Sequence, residues 1–389
     1  MIPIYEPYKL NESKKYLNEI IDDNWVSFTG KYINLSETKL QDALDIRHVL
    51  LTSSGTSATH CLFRAIKWKY PKCNKIYIPN NSFIAVYNTA LFEFSKTNIE
   101  IIPIDYDTLN FDMKYLDNME KNAALVLVHN IGNIIPIQNI ISKRPDLILV
   151  EDNCEGFMGK YDNKYSGTLS LCSSISFFPN KHITSGEGGA FCTNDTELYV
   201  YIKKFCRQGI TDIRYKYDIL GQNYRMSNIN ASILYSQLNL LDEILRKKSL
   251  VFDIYKKYLN TEYIIYQLEN MNTTHSKWMF IIKFKNKIDN IQSMNNFFKQ
   301  NNIEIRPFFY DYTHNEHIKD LKLIGHKNEN GNDNNNNNNN NTTNNYNNNK
   351  TTTNTNTNNI IILPSFPNLE EKTIKYIADK VNEFAENLK

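Results

Sequence analysis

The sequence predicts an α/β protein in which a large domain, built on a mostly parallel sheet, precedes a smaller α+β domain. Through the first 240 or so residues, short apolar runs alternate with helical patterns, as in a sheet layered with helices. The runs are rich in Ile and Val and are bounded by polar or turn residues, which is typical of parallel strands buried on both faces. We therefore expect a large domain over residues 1–245 and a small one over residues 246–389.

The individual elements follow from the same patterns. The predicted strands of the large domain are Lys75–Pro79, Ile99–Ile104, Leu125–His129, Leu147–Asp152, Ser173–Phe178 and Gly189–Thr193. A single long helix is expected over Ser227–Lys247, entered through an irregular turn at Gly221–Met226. In the small domain the patterns predict strands at Trp278–Phe284 and Ile303–Pro307, and helices at Ile291–Gln300 and Glu370–Leu388.

One segment interrupts the small domain. Residues from about Asn328 to Asn359 are almost wholly Asn and Thr, and the apolar pattern resumes at Ile360–Pro364. Such a composition cannot bury a core, so a disordered surface insertion is expected. Its thermodynamic cost is modest, because loop-closure entropy grows slowly with length. A tract for aggregation or interaction is the alternative that the composition leaves open.

Composition and charge argue against several classes of protein. A net charge of +2 without a basic stripe argues against a nucleic-acid partner. No apolar run reaches membrane-spanning length, and the N-terminus lacks the pattern of a signal peptide. The cysteines show no metal-type spacing, which indicates reduced thiols and no metal site. A cytoplasmic enzyme is therefore expected.

Lys181 and Asp152 are the candidate catalytic residues. Lys181 lies between an apolar run and the glycine-rich turn Gly186–Gly189, and Asp152 ends another apolar run. A carboxylate at the end of a parallel strand lies where open α/β sheets bind ligands. Pyridoxal phosphate (PLP) enzymes need both groups: a lysine that bonds the cofactor aldehyde and a carboxylate that keeps the pyridine nitrogen protonated. Glu155 lies close enough in sequence to reach the 3-oxygen of the ring. Taken separately, a solvated lysine and a capping or ion-paired acid remain open.

Other residues match the remaining parts of such a cofactor. Gly55, Thr56 and Ser57 begin an amphipathic helical pattern, and a helix N-terminus binds phosphate through its free N–H groups. An ordinary Ser/Thr cap would give the same pattern. Ser176, on the strand before Lys181, is a further phosphate donor. Phe83 follows a predicted strand end, where it would stack on a flat ring or belong to the core.

Taken in order, five segments resemble the DegT/DnrJ/EryC1/StrS family of PLP-dependent sugar aminotransferases. The resemblance covers nearly the whole chain except the Asn/Thr insertion. It implies the type I PLP-transferase fold, which is that of aspartate aminotransferase. The segments are Asn24–Tyr32, Ser54–Ala58, Glu151–Glu155, Ser176–Gly189 and Gln222–Met226.

The resemblance implies a role for each matching residue. Lys181 would bond the cofactor and relay protons, and Asp152 would pair with the pyridine nitrogen. Glu155 would contact the 3-oxygen, and Phe83 would stack on the ring. Asn223 would reach the cofactor phosphate of the partner subunit, which implies a homodimer with shared active sites. The residues implied to bind the cofactor phosphate are Gly55, Thr56, Ser57 and Ser176, and those implied to bind substrate are His182, Arg225 and Arg306.

Two further segments indicate a branch of the family. Trp25–Ser27 and Tyr5–Pro7 resemble the 4-aminotransferases that make perosamine or viosamine. This branch implies transfer of an amino group from L-glutamate to C4 of a nucleotide-linked 4-keto-6-deoxyhexose, with pyridoxamine phosphate formed in the half-reaction. The Asn-rich insertion adds a similarity to viosamine-forming members from giant DNA viruses, for which the location would be the host cytoplasm.

One segment favours a different branch. Phe178–Thr184 resembles the PLP-dependent sugar 3-dehydratases, which carry His where this chain has Lys181. The lysine therefore favours transamination, with His182 merely adjacent to it. A 3-aminotransferase or a dehydratase acting on a related keto sugar remains an alternative, as does a non-catalytic binding or regulatory protein with this fold. The nucleotide, whether UDP, dTDP or GDP, is left open.

Overall fold

The structure, a computed structural model, describes residues 1–325 and 357–388. Its helices are α1 (Lys14–Asp22), α2 (Lys31–Leu44), α3 (Gly55–Lys69), α4 (Ile84–Glu93), α5 (Ile137–Lys143), α6 (Thr196–Phe205), α7 (Asn228–Leu238), α8 (Leu241–Tyr258), α9 (Ile291–Gln300) and α10 (Glu371–Glu386). Across these ranges we find no helix with the length and apolar character needed to cross a membrane.

The strands divide among three sheets. They are β1 (His48–Thr52), β2 (Ile76–Pro79), β3 (Ile99–Ile102), β4 (Ala124–Val128), β5 (Ile148–Asp152), β6 (Lys160–Tyr161), β7 (Lys164–Tyr165), β8 (Ser173–Ser176), β9 (Gly189–Thr193), β10 (Ile264–Tyr266), β11 (Thr273–Thr274), β12 (Phe280–Phe284), β13 (Arg306–Pro307), β14 (Lys322–Leu323) and β15 (Ile360–Leu363).

The largest sheet has the order β1-β9-β8-β5-β4-β2-β3-β14. Strand β9 runs antiparallel to both of its neighbours, and the other neighbouring pairs are parallel. The mostly parallel α/β sheet predicted from the sequence is confirmed. Val128 pairs with Asp152, and Asp152 pairs with Ser174. The carboxyl ends of β4, β5 and β8 therefore meet at one edge.

Two predicted elements differ from the structure. The single helix expected over Ser227–Lys247 is instead two helices, α7 and α8, because Leu240 leaves the helical region at φ −106° and ψ 4°. Apolar residues continue across this break, so the pattern alone did not reveal it. The strand expected over Ile303–Pro307 is reduced to β13, because Ile303 forms an isolated parallel bridge with Ile2 near the start of the chain.

A second, antiparallel sheet has the order β10-β12-β15-β13. Its apolar core also takes in side chains of α8, α9 and α10. Strand β14 lies within the range predicted for the small domain, yet it pairs with β3 of the large sheet. The boundary between residues 245 and 246 stays a prediction, and β14 is an exception to it.

The predicted Asn/Thr insertion falls mostly outside the described residues. Its last three residues, Thr357–Asn359, are described and form a short 3-10 helix in which Thr357 is buried. The expected disordered range therefore extended too far at its C-terminal end. Asn359 explains the difference, because its side-chain amide donates to the carbonyl of Phe284 at the end of β12 and so joins this segment to the sheet.

Candidate active site

A cavity of about 540 Å³ lies where three parallel strands end. Val128, Asp152 and Ser176 are the last residues of β4, β5 and β8, and all three line it. The N-terminus of α3 enters from one side, and Arg306 of β13 from the small sheet enters from another. Ligands bind at this edge of open α/β sheets. The cavity also contains most of the residues predicted for cofactor and substrate.

Asp152 reaches the cavity because of the alternation of side chains along β5. Its neighbour Glu151 points to the other face, where it accepts hydrogen bonds from His129 Nε2 at 3.0 Å and from Gly167 N at 2.7 Å. The ring of His129 accepts from Ile135 N at Nδ1, so Nε2 carries the proton. Asp152 Oδ1 accepts from Cys154 N at 3.0 Å. Oδ2 is then available to a ligand in the cavity.

Lys181 lies opposite a second carboxyl group. Its Nζ is 3.8 Å from Glu155 Oε1, and both side chains are nearly buried. Glu155 Oε2 accepts a hydrogen bond of 2.8 Å from the N–H of Ile131, which has a left-handed backbone (φ 59°). Burial raises the pKa of Glu155 to about 7, and the charge of Lys181 opposes that rise. Near neutral pH, Glu155 therefore carries its proton for part of the time.

The raised pKa of Glu155 predicts how stability depends on pH. Its folded pKa of about 7 exceeds its ordinary value of 4.5, so the folded protein loses stability as the pH rises through this window. Glu155→Gln, which cannot ionise, should gain stability relative to the unsubstituted protein by about 2 kcal/mol between pH 5 and pH 8. Urea unfolding of the cofactor-free protein at both pH values measures this. Glu316→Gln, at an exposed position, is the control. The prediction would be contradicted if the stability difference between Glu155→Gln and the unsubstituted protein were the same at both pH values.

The N-terminus of α3 forms a compact polar corner. Ser54 and Ser57 make a capping box: Ser54 Oγ accepts from Ser57 N at 3.1 Å, and Ser57 Oγ accepts from Ser54 N at 3.0 Å. Gly55 and Thr56 line the cavity, whereas Ser57 does not. The hydroxyl of Ser57 thus serves the helix cap, and the phosphate role predicted for that residue finds no support in this geometry.

Gly55 is needed for the close approach of α3 to β8. A Cβ on Gly55 would lie 2.7 Å from Ser176 Cβ. We expect Gly55→Ala to push the helix N-terminus away from Ser176 and to weaken PLP binding by about tenfold, since the free N–H groups would move away from the place predicted for the cofactor phosphate. Fluorescence titration of the apoenzyme with PLP measures the change. Unchanged PLP affinity with normal folding would contradict this expectation.

Two predicted residues lie at the mouth of the cavity. Phe83 is the residue that precedes α4, is 55% exposed and lines the cavity, where its ring is accessible to a planar ligand. Arg306 pairs with Glu304 Oε1 at 3.2 Å, and its side chain is 47% exposed. This rim pair leaves the Arg306 guanidinium accessible to an incoming anion.

His182 does not reach the cavity. It is 2% exposed, and its Nε2 donates to the carbonyl of Ser276 at 2.7 Å. Burial holds the pKa of His182 at about 3, so the ring is neutral. The predicted substrate-binding role is therefore corrected: the turn after β8 directs Lys181 into the cavity and His182 into the core, where it packs against Phe157.

Asn223 and Arg225 also lie outside the cavity of their own chain. Asn223 Oδ1 accepts from Arg225 Nε at 2.8 Å, and the Arg225 guanidinium stacks on Phe28, 3.9 Å from its ring centroid. Large apolar side chains nearby in sequence are exposed, among them Ile213 (60%), Tyr215 (74%) and Leu220 (78%). Neither Asn223 nor Arg225 can serve the cavity of its own subunit in this arrangement.

Trp278 also lines the cavity, although the sequence patterns did not mark it as a candidate site residue. It was assigned only to a strand, and its ring lies beside Lys181, with the Lys181 Nζ 3.8 Å from the ring centroid. Tyr5 was noted only as part of a resemblance, and its hydroxyl donates to the Lys181 carbonyl at 2.7 Å. No local pattern marks either contact, because each joins segments that are far apart in the chain.

The model of the DegT/DnrJ/EryC1/StrS aminotransferase family matches residues 7–330. The chain is 30% identical over 390 residues, 98% of each chain, to GDP-perosamine synthase of Escherichia coli O157:H7. It is 33% identical over 319 residues, 80% of this chain and 85% of the other, to GDP-perosamine synthase of Vibrio cholerae.

Solved structures share the fold at lower identity. Helicobacter pylori PseC, an aminotransferase involved in the biosynthesis of pseudoaminic acid, superposes with a TM-score of 0.83 at 21% identity, over 99% of each chain. The E. coli GDP-4-keto-6-deoxy-D-mannose-3-dehydratase with bound hydrated PLP gives 0.81 at 20% identity, over 98% of this chain and 99% of that one. These likenesses confirm the predicted fold class.

Proposed function

Since the chain belongs to the DegT/DnrJ/EryC1/StrS aminotransferase family, we propose that it transfers an amino group from L-glutamate to C4 of a nucleotide-linked 4-keto-6-deoxyhexose, with PLP as cofactor. The observation that carries this proposal is the meeting of Lys181, Asp152 and the N-terminus of α3 in one cavity. The similarity to the GDP-perosamine synthase of Escherichia coli O157:H7 along 98% of the chain supports the sugar class.

The cavity residues fit PLP. An amine, a nearly buried carboxylate and a helix N-terminus are the three features that the aldehyde, the pyridine nitrogen and the phosphate require. Gly55 keeps that helix end open, because a Cβ there would collide with Ser176. The buried Oδ1 of Asn180 also lines the cavity and has no hydrogen-bond partner among the described residues. When bound, PLP supplies the electron sink and carries the amino group between substrates.

The side chains of the chain take separate roles in this proposal. Lys181 bonds the cofactor and, once released, moves the proton at its Nζ. Asp152 would hold the proton on the pyridine nitrogen. Glu155, whose pKa is raised to about 7 by burial, would donate to the 3-oxygen in its protonated form. Phe83 stacks on the ring from the cavity mouth.

We further propose a homodimer with shared active sites. Asn223 and Arg225 do not line the cavity of their own subunit, and the segment around them exposes Ile213, Tyr215 and Leu220. A second copy that covers these side chains would remove apolar surface from water. It would also bring Asn223 towards the partner's cofactor phosphate. Arg306 is assigned to substrate binding, because its guanidinium can exchange Glu304 for an anionic group of the substrate.

The test is a panel of UDP-, dTDP- and GDP-linked 4-keto-6-deoxyhexoses, each incubated with the purified enzyme, PLP and L-glutamate. NMR of the product gives the position of the new amine. Amination at C4, with 2-oxoglutarate formed in equal amount, is the expected result, and the preferred nucleotide follows from the relative rates. Amination at C3 or loss of the 3-hydroxyl group would contradict the proposal in favour of the 3-aminotransferase or dehydratase alternatives.

A non-catalytic role is tested separately. A lysine–cofactor bond absorbs near ~420 nm, and borohydride should abolish this band and leave a stable label on Lys181. A protein that binds no PLP, or that is labelled at another lysine, would favour the binding or regulatory alternative.

A further inference from the structure

Trp278 is nearly buried, at 5% exposure, yet its ring lines the active-site cavity. Trp278 is held by two hydrogen bonds, one to its side chain and one to its backbone. Its Nε1–H donates to the carbonyl of Asn180 at 2.9 Å, and its backbone carbonyl accepts from Lys248 Nζ at 2.7 Å. A side chain held in this way keeps one orientation, so its face is available for a defined task.

Lys248 holds the backbone of Trp278 in this arrangement. It is fully buried on α8, and its Nζ also donates to the carbonyl of Ser365 at 2.8 Å. Ser365 in turn accepts from the N–H of Phe280 at 3.0 Å through its Oγ. One ammonium group thus joins the segment before β12 to the segment after β15. Trp278 sits on the rigid part of the small sheet rather than on a loose loop.

The face of the indole meets the amine of Lys181. Lys181 Nζ lies 3.8 Å from the ring centroid and 3.8 Å from Glu155 Oε1. An aromatic face attracts a cation through its quadrupole. Unlike a carboxylate, it does not take up the proton, and it makes no directional hydrogen bond that must break when the amine moves. The amine is therefore held near one place and keeps its freedom to swing.

The backbone at Lys181 has contacts besides the indole hydrogen bond to the carbonyl of Asn180. Tyr5 donates to the Lys181 carbonyl at 2.7 Å, and the His182 ring donates to the Ser276 carbonyl at 2.7 Å. Loss of the aromatic face would thus release the end of the lysine side chain, while Tyr5 still holds the Lys181 carbonyl and the His182 ring still holds the next residue in place. This separation makes the effect of the ring measurable.

We propose that Trp278 is a positioning residue that holds the Lys181 amine over its indole face whenever that amine is not bonded to the cofactor. The inference rests on the role proposed above for Lys181, and it adds a residue to that proposed site. The released amine must return to the same place in every turnover. A fixed, non-basic surface that attracts its protonated form achieves this.

The variants Trp278→Phe and Trp278→Leu distinguish the effect of the aromatic face from the effect of side-chain volume. The Phe variant keeps an aromatic face and loses the N–H, whereas the Leu variant fills space without a face. In single-turnover experiments with L-glutamate, we expect the Leu variant to lose about tenfold in the rate of cofactor conversion, and the Phe variant to lose about threefold or less. The pH profile of this rate should shift in the Leu variant and stay in place in the Phe variant. PLP affinity should change little in either.

A second readout needs neither cofactor nor activity. The chain has three tryptophans. In a protein that carries Trp25→Phe and Trp68→Phe, only Trp278 remains, so it alone supplies the indole emission. Removal of the amine with Lys181→Met should change that emission in the apoenzyme. Lys372→Met, at a lysine with an 82% exposed side chain, should leave it unchanged.

The outcomes distinguish this inference from the proposed function. The role of Trp278 would be overturned if the Leu variant kept the full half-reaction rate, or if Lys181→Met left the Trp278 emission unchanged. Either result would still be compatible with an active enzyme that is labelled on Lys181. Absence of any label on Lys181 in the unsubstituted protein would instead overturn the proposed function. Equal losses in the Phe and Leu variants with weakened PLP binding would show that the indole acts only in packing.

Discussion

Lys181→Ala is expected to lower the turnover of the proposed glutamate-dependent amination by about 10³-fold or more. The substitution removes both the bond to the cofactor and the amine that moves the proton, and proton transfer by a positioned side chain alone contributes roughly 10²–10⁴-fold. The fold should survive, because Lys181 belongs to a turn that Tyr5 and Ser276 hold through its backbone and its neighbour. Turnover with glutamate and the preferred keto sugar measures the loss, and circular dichroism checks the fold.

The control is Lys372→Ala, because this lysine is exposed in the first turn of α10 and its only ion pair among the described residues is with Glu370. The alanine at position 372 should leave turnover unchanged. A small primary amine added to Lys181→Ala should restore part of the rate, since it replaces the missing base without the tether. Full turnover in Lys181→Ala without added amine would exclude the mechanism proposed for this site.

The parallel strands were the most predictable part of the fold. Strands β4 and β5 are buried on both faces, so each appears in the sequence as a short apolar run. Four of the six strands predicted for the large domain, β2, β4, β5 and β9, lie within one residue of their predicted bounds, and β3 and β8 end two residues earlier than predicted. Because β5 ends at Asp152, the same pattern also located the candidate carboxylate. At this strand end, one sequence pattern therefore predicted both an element of the fold and a candidate catalytic residue.

Strand pairing between distant segments was not predictable. Strand β1 pairs with β9, so His48 lies opposite Thr193, and no local feature links these two parts of the chain. Strand β14 joins the large sheet from a segment assigned to the small domain. The period of apolar residues reports which face of an element is buried, but not which element covers that face.

The same limit applies to the candidate site. Lys181 and His182 are adjacent, yet one faces the cavity and the other is buried against Ser276. The turn after β8 has no regular period, so sequence alone could not decide between them. Trp278 contacts the carbonyl of Asn180 across 98 positions. Only the folded chain brings its ring beside the amine, so no local pattern marked Trp278 as a site residue.

Asp152→Asn is expected to cause the second-largest loss, of about 10²–10³-fold in turnover. The carboxylate ends β5, is 7% exposed, and has Oδ1 occupied by the N–H of Cys154. Asn keeps the shape and the Oδ1 hydrogen bond but removes the negative charge that would hold a proton on the pyridine nitrogen. A charge-assisted hydrogen bond is roughly twice as strong as a neutral one, so the electron sink weakens without loss of the site's geometry.

The two readouts for Asp152→Asn should separate chemistry from binding. Turnover should fall by the full amount, whereas PLP affinity should fall by only about tenfold, because the roles proposed for Lys181, Gly55 and Thr56 in binding the other parts of the cofactor would be unaffected. Asp162→Asn is the matched control, since Asp162 lies in the exposed turn between β6 and β7, where its left-handed backbone (φ 46°) suits Asn. If Asp152→Asn retained turnover while Asp162→Asn was also normal, the carboxylate at the end of β5 would have no electronic role. The partner of the pyridine nitrogen would then have to be sought elsewhere in the cavity, with Glu155 as the first candidate.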